Sequence, residues 1–251
     1  MLIRSKILAI GVGTLLVGCG AEPDAKDEIV DNLIEAGFAA DDIMIVDGLV
    51  YVGRDAEVSL DASREMLAPL DVTEEQYRTT NLVGSNIRTI CIDPSSAFTG
   101  DFSTGIDLAI ENYNQLGLSF SLSRGSGCDA TIRAVLKRNL VGGSAGFPKS
   151  GKPYRTINIG DGLAPFGLDV IEHVITHEIG HTVGLRHSDF FDRSISCGSG
   201  GDEGDGGIGA IHIPGTPTGA TPGGSVMNSC FDTTENGEWT SSDRTALQTV
   251  Y

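Results

Sequence analysis

Two periods of apolar spacing run along the chain, and the places where one gives way to the other mark its elements. A helical spacing comes first, in "AKDEIVDNLIEAGF" (Ala25 to Phe38), followed by "IMIVDGLVYVG", which reads as two short strands about an Asp47-Gly48 turn. Beyond about Leu82 the pattern is that of a compact α+β domain. "NIRTICID" (Asn86 to Asp93) alternates as a strand does. "TGIDLAIENYNQLG" then sets Ile106, Ala109, Ile110 and Tyr113 on one helical face before Gly117. "LSFSLSR", "ATIRAVLKR" and "YRTINIG" predict three more strands, the last preceded by the turn-rich "GGSAGFPKSGKP". A second long helix carries an apolar stripe of Ile171, Val174, Ile175, Ile179 and Val183. The stretch from Cys197 to Gly224 has little period and many turn residues. A last helix follows, capped by Thr240 or Ser241 and containing Arg244, Ala246 and Leu247. No internal repeat interrupts this order.

The chain's beginning changes the picture of where it works. Arg4 and Lys6 precede the apolar run "ILAIGVGTLLVG", too short to span a membrane and ending in Leu16-Val17-Gly18-Cys19. That ending resembles the lipobox of bacterial lipoproteins, which implies cleavage of residues 1 to 18 and lipidation of Cys19. A plain secretory signal cut after Gly20 or Ala21 is the other reading, and both export the chain. Loss of Arg4 and Lys6 takes the formal net charge from −17 to −19, which argues against nucleic acid as a partner. Export leaves Cys91, Cys128, Cys197 and Cys230 as an even set, so two disulfides are expected. Of the three pairings, Cys91–Cys128 with Cys197–Cys230 is favoured because each closes a shorter loop. Residues 19–81 are acidic and lack histidine. They form either an accessory subdomain or a pro-segment ahead of a domain spanning 82–251.

Four of the five histidines fall within "HVITHEIGHTVGLRHSD", from His173 to Asp189. His177 and His181, four apart on a helix, leave one face from consecutive turns, so both rings can reach one ion. Gly184 can take the left-handed backbone that ends a helix, and His187 can then swing back as a third ligand. Three nitrogens leave a fourth position open, as in a catalytic zinc site. Glu178 stands where a carboxylate can take a proton from a metal-activated water, and the chemistry expected is hydrolysis of peptide bonds. A bare His-Glu-x-x-His is a weak signal. His177-Glu178-x-x-His181-x-x-Gly184-x-x-His187 fixes five positions in eleven residues and is a strong one.

With that motif the chain resembles the metzincin metalloproteases, and "SVMN" (Ser225 to Asn228) matches their methionine turn, with Met227 beneath the ligands. "THEIGHTVGLRHSD", "SAGFPKSGKP" and "IPGTPTG…SVMNSC" are most similar to the bacterial dual-action HEIGH metallo-peptidases. The resemblance implies a zinc endopeptidase with an α+β fold. Its parts would be a twisted mixed sheet, an active-site helix, an irregular lower subdomain with the methionine turn, and a C-terminal helix. The implied partner is a peptide or protein in extended conformation, bound along a sheet edge by a monomer whose only tie to a membrane is the lipid on Cys19. The chain departs from some relatives in having no tyrosine after Met227. It also has Ser188 directly after His187, which leaves Asp189 to bond nearby backbone.

The other candidates take blander readings. His173 is expected as a partly buried helix histidine, His212 as a residue packed near the lower cleft wall, and Asp202-Glu203-x-Asp205 as a solvated loop in preference to a calcium site. If residues 24 to 80 hold the enzyme latent, one of Asp41, Asp42, Asp47 or Asp55 would offer zinc a carboxylate, since no cysteine lies there. The competing function is a surface lipoprotein that keeps the zinc fold as a non-catalytic binding module.

Overall fold

The protein is described by a computed structural model over residues 25–67, 76–204, 210–217 and 219–251. Residues 1 to 18, expected to be an export signal, and Cys19 lie outside these described residues. Elements follow in the order α1 (Ala25–Glu35), β1 (Met44–Val46), β2 (Leu49–Val52), β3 (Ala56–Val58), α2 (Leu60–Glu65), β4 (Tyr77–Arg78), β5 (Thr89–Pro94) and α3 (Asp101–Asn114). Then come β6 (Ser121–Arg124), β7 (Ala130–Lys137), β8 (Gly143–Gly146), β9 (Thr156–Gly160), a 3-10 turn (Asp161–Phe166), α4 (Leu168–Val183), α5 (Ser194–Cys197), β10 (Ile211–His212) and α6 (Ser241–Val250). The α+β expectation holds.

Eight strands form one mixed sheet in the order β1-β2-β3-β8-β9-β7-β5-β6. Parallel pairing of β5 with β6 and β7, and of β7 with β9, makes its interior. Burial is continuous at Ile90, Cys91 and Ile92 in β5, whereas β9 buries Ile157 and Ile159 on either side of half-buried Asn158. The Asp47-Gly48 turn between β1 and β2 has φ of 51° and 81° at its two residues, as the hairpin signal predicts. The pattern of apolar positions missed the short strands β3, β4 and β10 and, deeper in the main sheet, β8. β8, "GSAG" inside the turn-rich stretch, carries no alternating side chains, yet it pairs antiparallel with β9 and parallel with β3. Through that pairing the three N-terminal strands continue the main sheet. A second, smaller core joins them to α1 and α2, and Phe147, just past β8, closes it from the other side.

Helix α4 lies across the sheet with every residue from Val170 to Val183 buried. On one side it meets α3 so closely that a Cβ on Gly105 would stand 3.0 Å from Ile171 Cγ2. Below it the chain is irregular, as expected, and among the described residues it holds only α5 and the short β4–β10 pair before α6. Thr240 caps α6, and Asp243 closes a capping box with it. Both favoured disulfides are present, Cys91–Cys128 and Cys197–Cys230.

Candidate metal centre

His177 and His181 face the same side of α4, and the helix ends where the third histidine needs it to. Gly184 has φ of 109° and caps the helix. A Cβ there would also lie 2.5 Å from the Asn81 carbonyl oxygen, so the position needs glycine for its backbone and for its surroundings. Past this turn His187 comes back to the other two, its ring centroid 5.3 Å from that of His177 and 4.9 Å from that of His181.

The state of each ring follows from its second nitrogen. His177 Nδ1 is 2.8 Å from the Val226 carbonyl and His181 Nδ1 is 2.8 Å from the Leu185 carbonyl. A carbonyl only accepts, so both Nδ1 atoms carry the hydrogen and both Nε2 atoms are bare. His187 Nδ1 donates instead to a carboxylate, Glu203 Oε1, at 2.6 Å. All three Nε2 atoms are buried with no hydrogen-bond partner. A buried, unpaired nitrogen is costly, and three directed at one place are what a metal would satisfy.

Asp55, in the turn between β2 and β3, completes the cluster. Its carboxylate oxygens stand 3.7 Å from His177 Nε2, 3.6 Å from His181 Nε2 and 3.3 Å from His187 Nε2. One ligand atom from each of the four residues lies within 4.8 Å of the others. Ligands about 2.0–2.1 Å from a tetrahedral ion are roughly 3.3–3.5 Å apart, so this donor set suits zinc in both chemistry and spacing. Asp41 and Asp47 are exposed, and Asp42 is turned to other work, accepting from the Gly53 N–H and pairing with Arg193 at 2.6 Å.

Charge separates the four groups. Burial would raise the Asp55 carboxyl, but charge on His187, with His177 and His181 close by, outweighs it and holds the group well below the usual range. Burial likewise opposes charge on His187, and the Asp55 and Glu203 carboxylates overcome it and raise its pKa. Burial and then the nearby His177 push His181 down to about 3.

Glu178 lies between the helical pair and packs against β8, where a Cβ on Gly143 would be 2.3 Å from its Oε1. Its Oε2 is buried without a partner, and burial followed by the Asp55 charge raises its pKa well above normal. It opens on a cavity of about 320 Å³ that Asp55, His173, His177, Asn228 and Phe231 also line.

The methionine turn reaches the site as expected. A Cβ on Gly180 would lie 2.6 Å from Met227 Sδ, so that glycine admits the methionine beneath α4 between the two helical histidines. Asp243 pins the turn, accepting from Ser225 Oγ at 2.5 Å and the Val226 N–H at 3.0 Å. It thereby fixes the carbonyl that orients His177.

Other residues sort themselves by contact. His173 is buried outside the four-residue cluster, with Nδ1 3.7 Å from Glu235 Oε2, and burial with the neighbouring His177 lowers it to about 3. His212 Nε2 lies 3.0 Å from Thr216 Oγ1 in the lower half. Asp189 accepts from the Ser229 N–H at 2.8 Å and from Ser196 Oγ, a backbone role as expected. Glu203 departs from the expectation of a solvated loop, for it is 1% exposed and bonded to His187, while Asp202 is exposed and Asp205 lies outside the described residues. The run of acidic and glycine residues around it suggests solvent, and nothing local reveals that Glu203 turns inward.

The sequence profile of a family described as the dual-action HEIGH metallo-peptidases matches residues 50–251. No curated protein matches the chain. Among solved structures it is similar to one of myroilysin, at 14% identity and a TM-score of 0.41 over 65% of this chain and 92% of that one. It is also similar to high choriolytic enzyme 1, a hatching-enzyme zinc protease from the medaka fish Oryzias latipes. There the identity is 19% and the TM-score 0.39, over 59% of this chain and 71% of that one.

Proposed function

Since this chain belongs to the dual-action HEIGH metallo-peptidase family and is a zinc-dependent peptidase, we propose that His177, His181 and His187 hold the zinc and Glu178 is the general base of an endopeptidase. One observation carries this reading: three buried Nε2 atoms, none with a hydrogen-bond partner, converge beside a carboxylate oxygen that also lacks one. Zinc, when bound, supplies a Lewis acid that acidifies water and polarises a peptide carbonyl. Glu178 takes the proton of the attacking water and passes it to the departing amine. A binding module without turnover would leave Glu178 no such work.

In the same proposal residues 25–67 keep the enzyme latent. Asp55 supports this by standing within 3.7 Å of all three Nε2 atoms. β3 supports it independently. It pairs parallel with β8 at Ala56–Ala145 and Glu57–Gly146, along the edge an extended substrate would need for strand pairing. The two disulfides agree with export, and among the described residues no helix is long and apolar enough to cross a membrane. In this proposal the lipid on Cys19 anchors a monomer.

The test is cleavage of an unstructured protein by the mature chain, by Glu178→Ala and by Asp55→Ala. Glu178→Ala should lose activity about 10²–10⁴-fold while keeping its zinc, and Asp55→Ala should gain it. Equal turnover by Glu178→Ala and the parent would end the assignment of the base. No gain from Asp55→Ala would end the latency. Mass analysis of the native N-terminus should find a diacylglyceryl group on Cys19, and a free Ala21 terminus would contradict the anchor.

A further inference from the structure

We propose that Glu203 is a positioning residue for the metal: by accepting from His187 Nδ1 it aims the third ligand and strengthens its bond to zinc. The inference rests on the reading of His187 as a ligand.

The three histidines are not equivalent. His177 and His181 give their Nδ1 hydrogens to neutral carbonyls at 2.8 Å, whereas His187 gives its own to a carboxylate at 2.6 Å. A hydrogen bond to a charged acceptor is roughly twice as strong as one between neutral groups. It also draws the hydrogen away from the ring, which leaves more electron density on Nε2 for the ion. His187 needs this more than its companions do. They are fixed by the helix that carries them, while His187 stands on irregular chain with no helical neighbour to set its ring.

Much of the surrounding structure serves to hold this buried carboxylate. Arg186 Nη2 is 3.1 Å from Oε2, and Ser229 Oγ donates to Oε1 at 3.3 Å. The Glu203 N–H donates to the Phe190 carbonyl at 2.7 Å, and its own carbonyl accepts from the Ala39 N–H at 3.1 Å. Backbone packs directly on the pair, for a Cβ on Gly53 would lie 2.9 Å from His187 Nδ1 and 3.0 Å from Glu203 Oε1. A buried carboxylate without such partners would be strongly destabilising. A carboxylate present only to balance Arg186 would not need to lie within 2.6 Å of a histidine nitrogen as well.

The experiment compares the full mature chain with Glu203→Gln, Glu203→Ala and His187→Ala. Zinc dissociation constants come from competition with a chelator, the visible spectrum from the cobalt-substituted protein, and Tm from the metal-free protein. Glu203→Gln keeps the shape and an acceptor but not the charge, and it should bind zinc about 10-fold more weakly with a changed cobalt spectrum. Glu203→Ala should lose up to about 100-fold. If Glu203→Gln lowers Tm but leaves the zinc constant and the cobalt spectrum as they are, the residue is only a partner for Arg186 and the inference is overturned. Should Glu203→Ala fail to fold, the Glu203→Gln result decides alone. His187→Ala guards the premise: if it retains zinc as tightly as the parent, the ligand assignment itself is at fault, a failure distinct from that of Glu203.

Discussion

The centre is built in two halves by different means. The helical half, His177 to Val183, is positioned by packing: α4 is buried along its length, and its apolar residues against the sheet and α3 leave it one orientation. The irregular half, from Leu185 through the methionine turn, has little regular structure, and three buried carboxylates hold it instead. Asp189 gathers Ser196 and Ser229, Glu203 takes His187 and Arg186, and Asp243 ties Ser225 and Val226 to α6. Where a chain lacks helix or strand ladders, its buried backbone and side-chain donors still need acceptors, and ionised carboxylates supply several each.

The contrast can be broken from the irregular side first. Replacing Cys197 and Cys230 together by serine should lower stability by roughly 3–4 kcal/mol, as expected for a cross-link closing a loop of this length. In chemical denaturation the lower half should open before the sheet. Asp243→Ala should cost roughly 2–3 kcal/mol by stranding buried donors on both the turn and the α6 cap. Because Val226 would be freed, zinc affinity should fall along with stability. A loss of stability alone would show that the turn holds its shape without this tie.

The helical half should answer only to volume. Gly180→Ala puts a methyl where Met227 Sδ lies 2.6 Å away, so a cost of about 1–3 kcal/mol is expected from overpacking. Thermal unfolding would measure it. The smallest effect concerns Glu172, buried on α4 and accepting from Asn112 Nδ2 at 2.8 Å. Burial, with the Glu238 and Asp169 carboxylates adding to it, raises this carboxyl to about 7. An acid whose pKa is raised by folding contributes stability that is complete below its unfolded value near 4.5 and is lost as pH rises through 7. The parent should therefore lose stability between pH 4.5 and 8, and Glu172→Gln should flatten that part of the curve. An unchanged slope would mean that Glu172 is not the group responsible.

How much could be read in advance follows the same division. The spacing of His177, Glu178, His181, Gly184 and His187 is local, and helix geometry converts it directly into a shared face and a stop. The disulfide pairs were legible from loop length, and β5, β7, β9 and α3 from their apolar period. β8 was not, because four small residues make a strand only when β9 and β3 lie on either side to bond it. Asp55 could be named among four aspartates but not chosen, since the choice depends on which turn of the N-terminal strands meets the histidines.

The sequence by itself determined the histidine helix, its terminating glycine, the Glu178 carboxylate within it and the methionine beyond it, because each relation spans a few residues of regular geometry or a distinctive motif. Only the tertiary structure decided that Asp55 faces the same point and that Glu203 lies under His187. Those contacts join segments far apart in the chain, and they exist because burying one charge required another group to be folded against it.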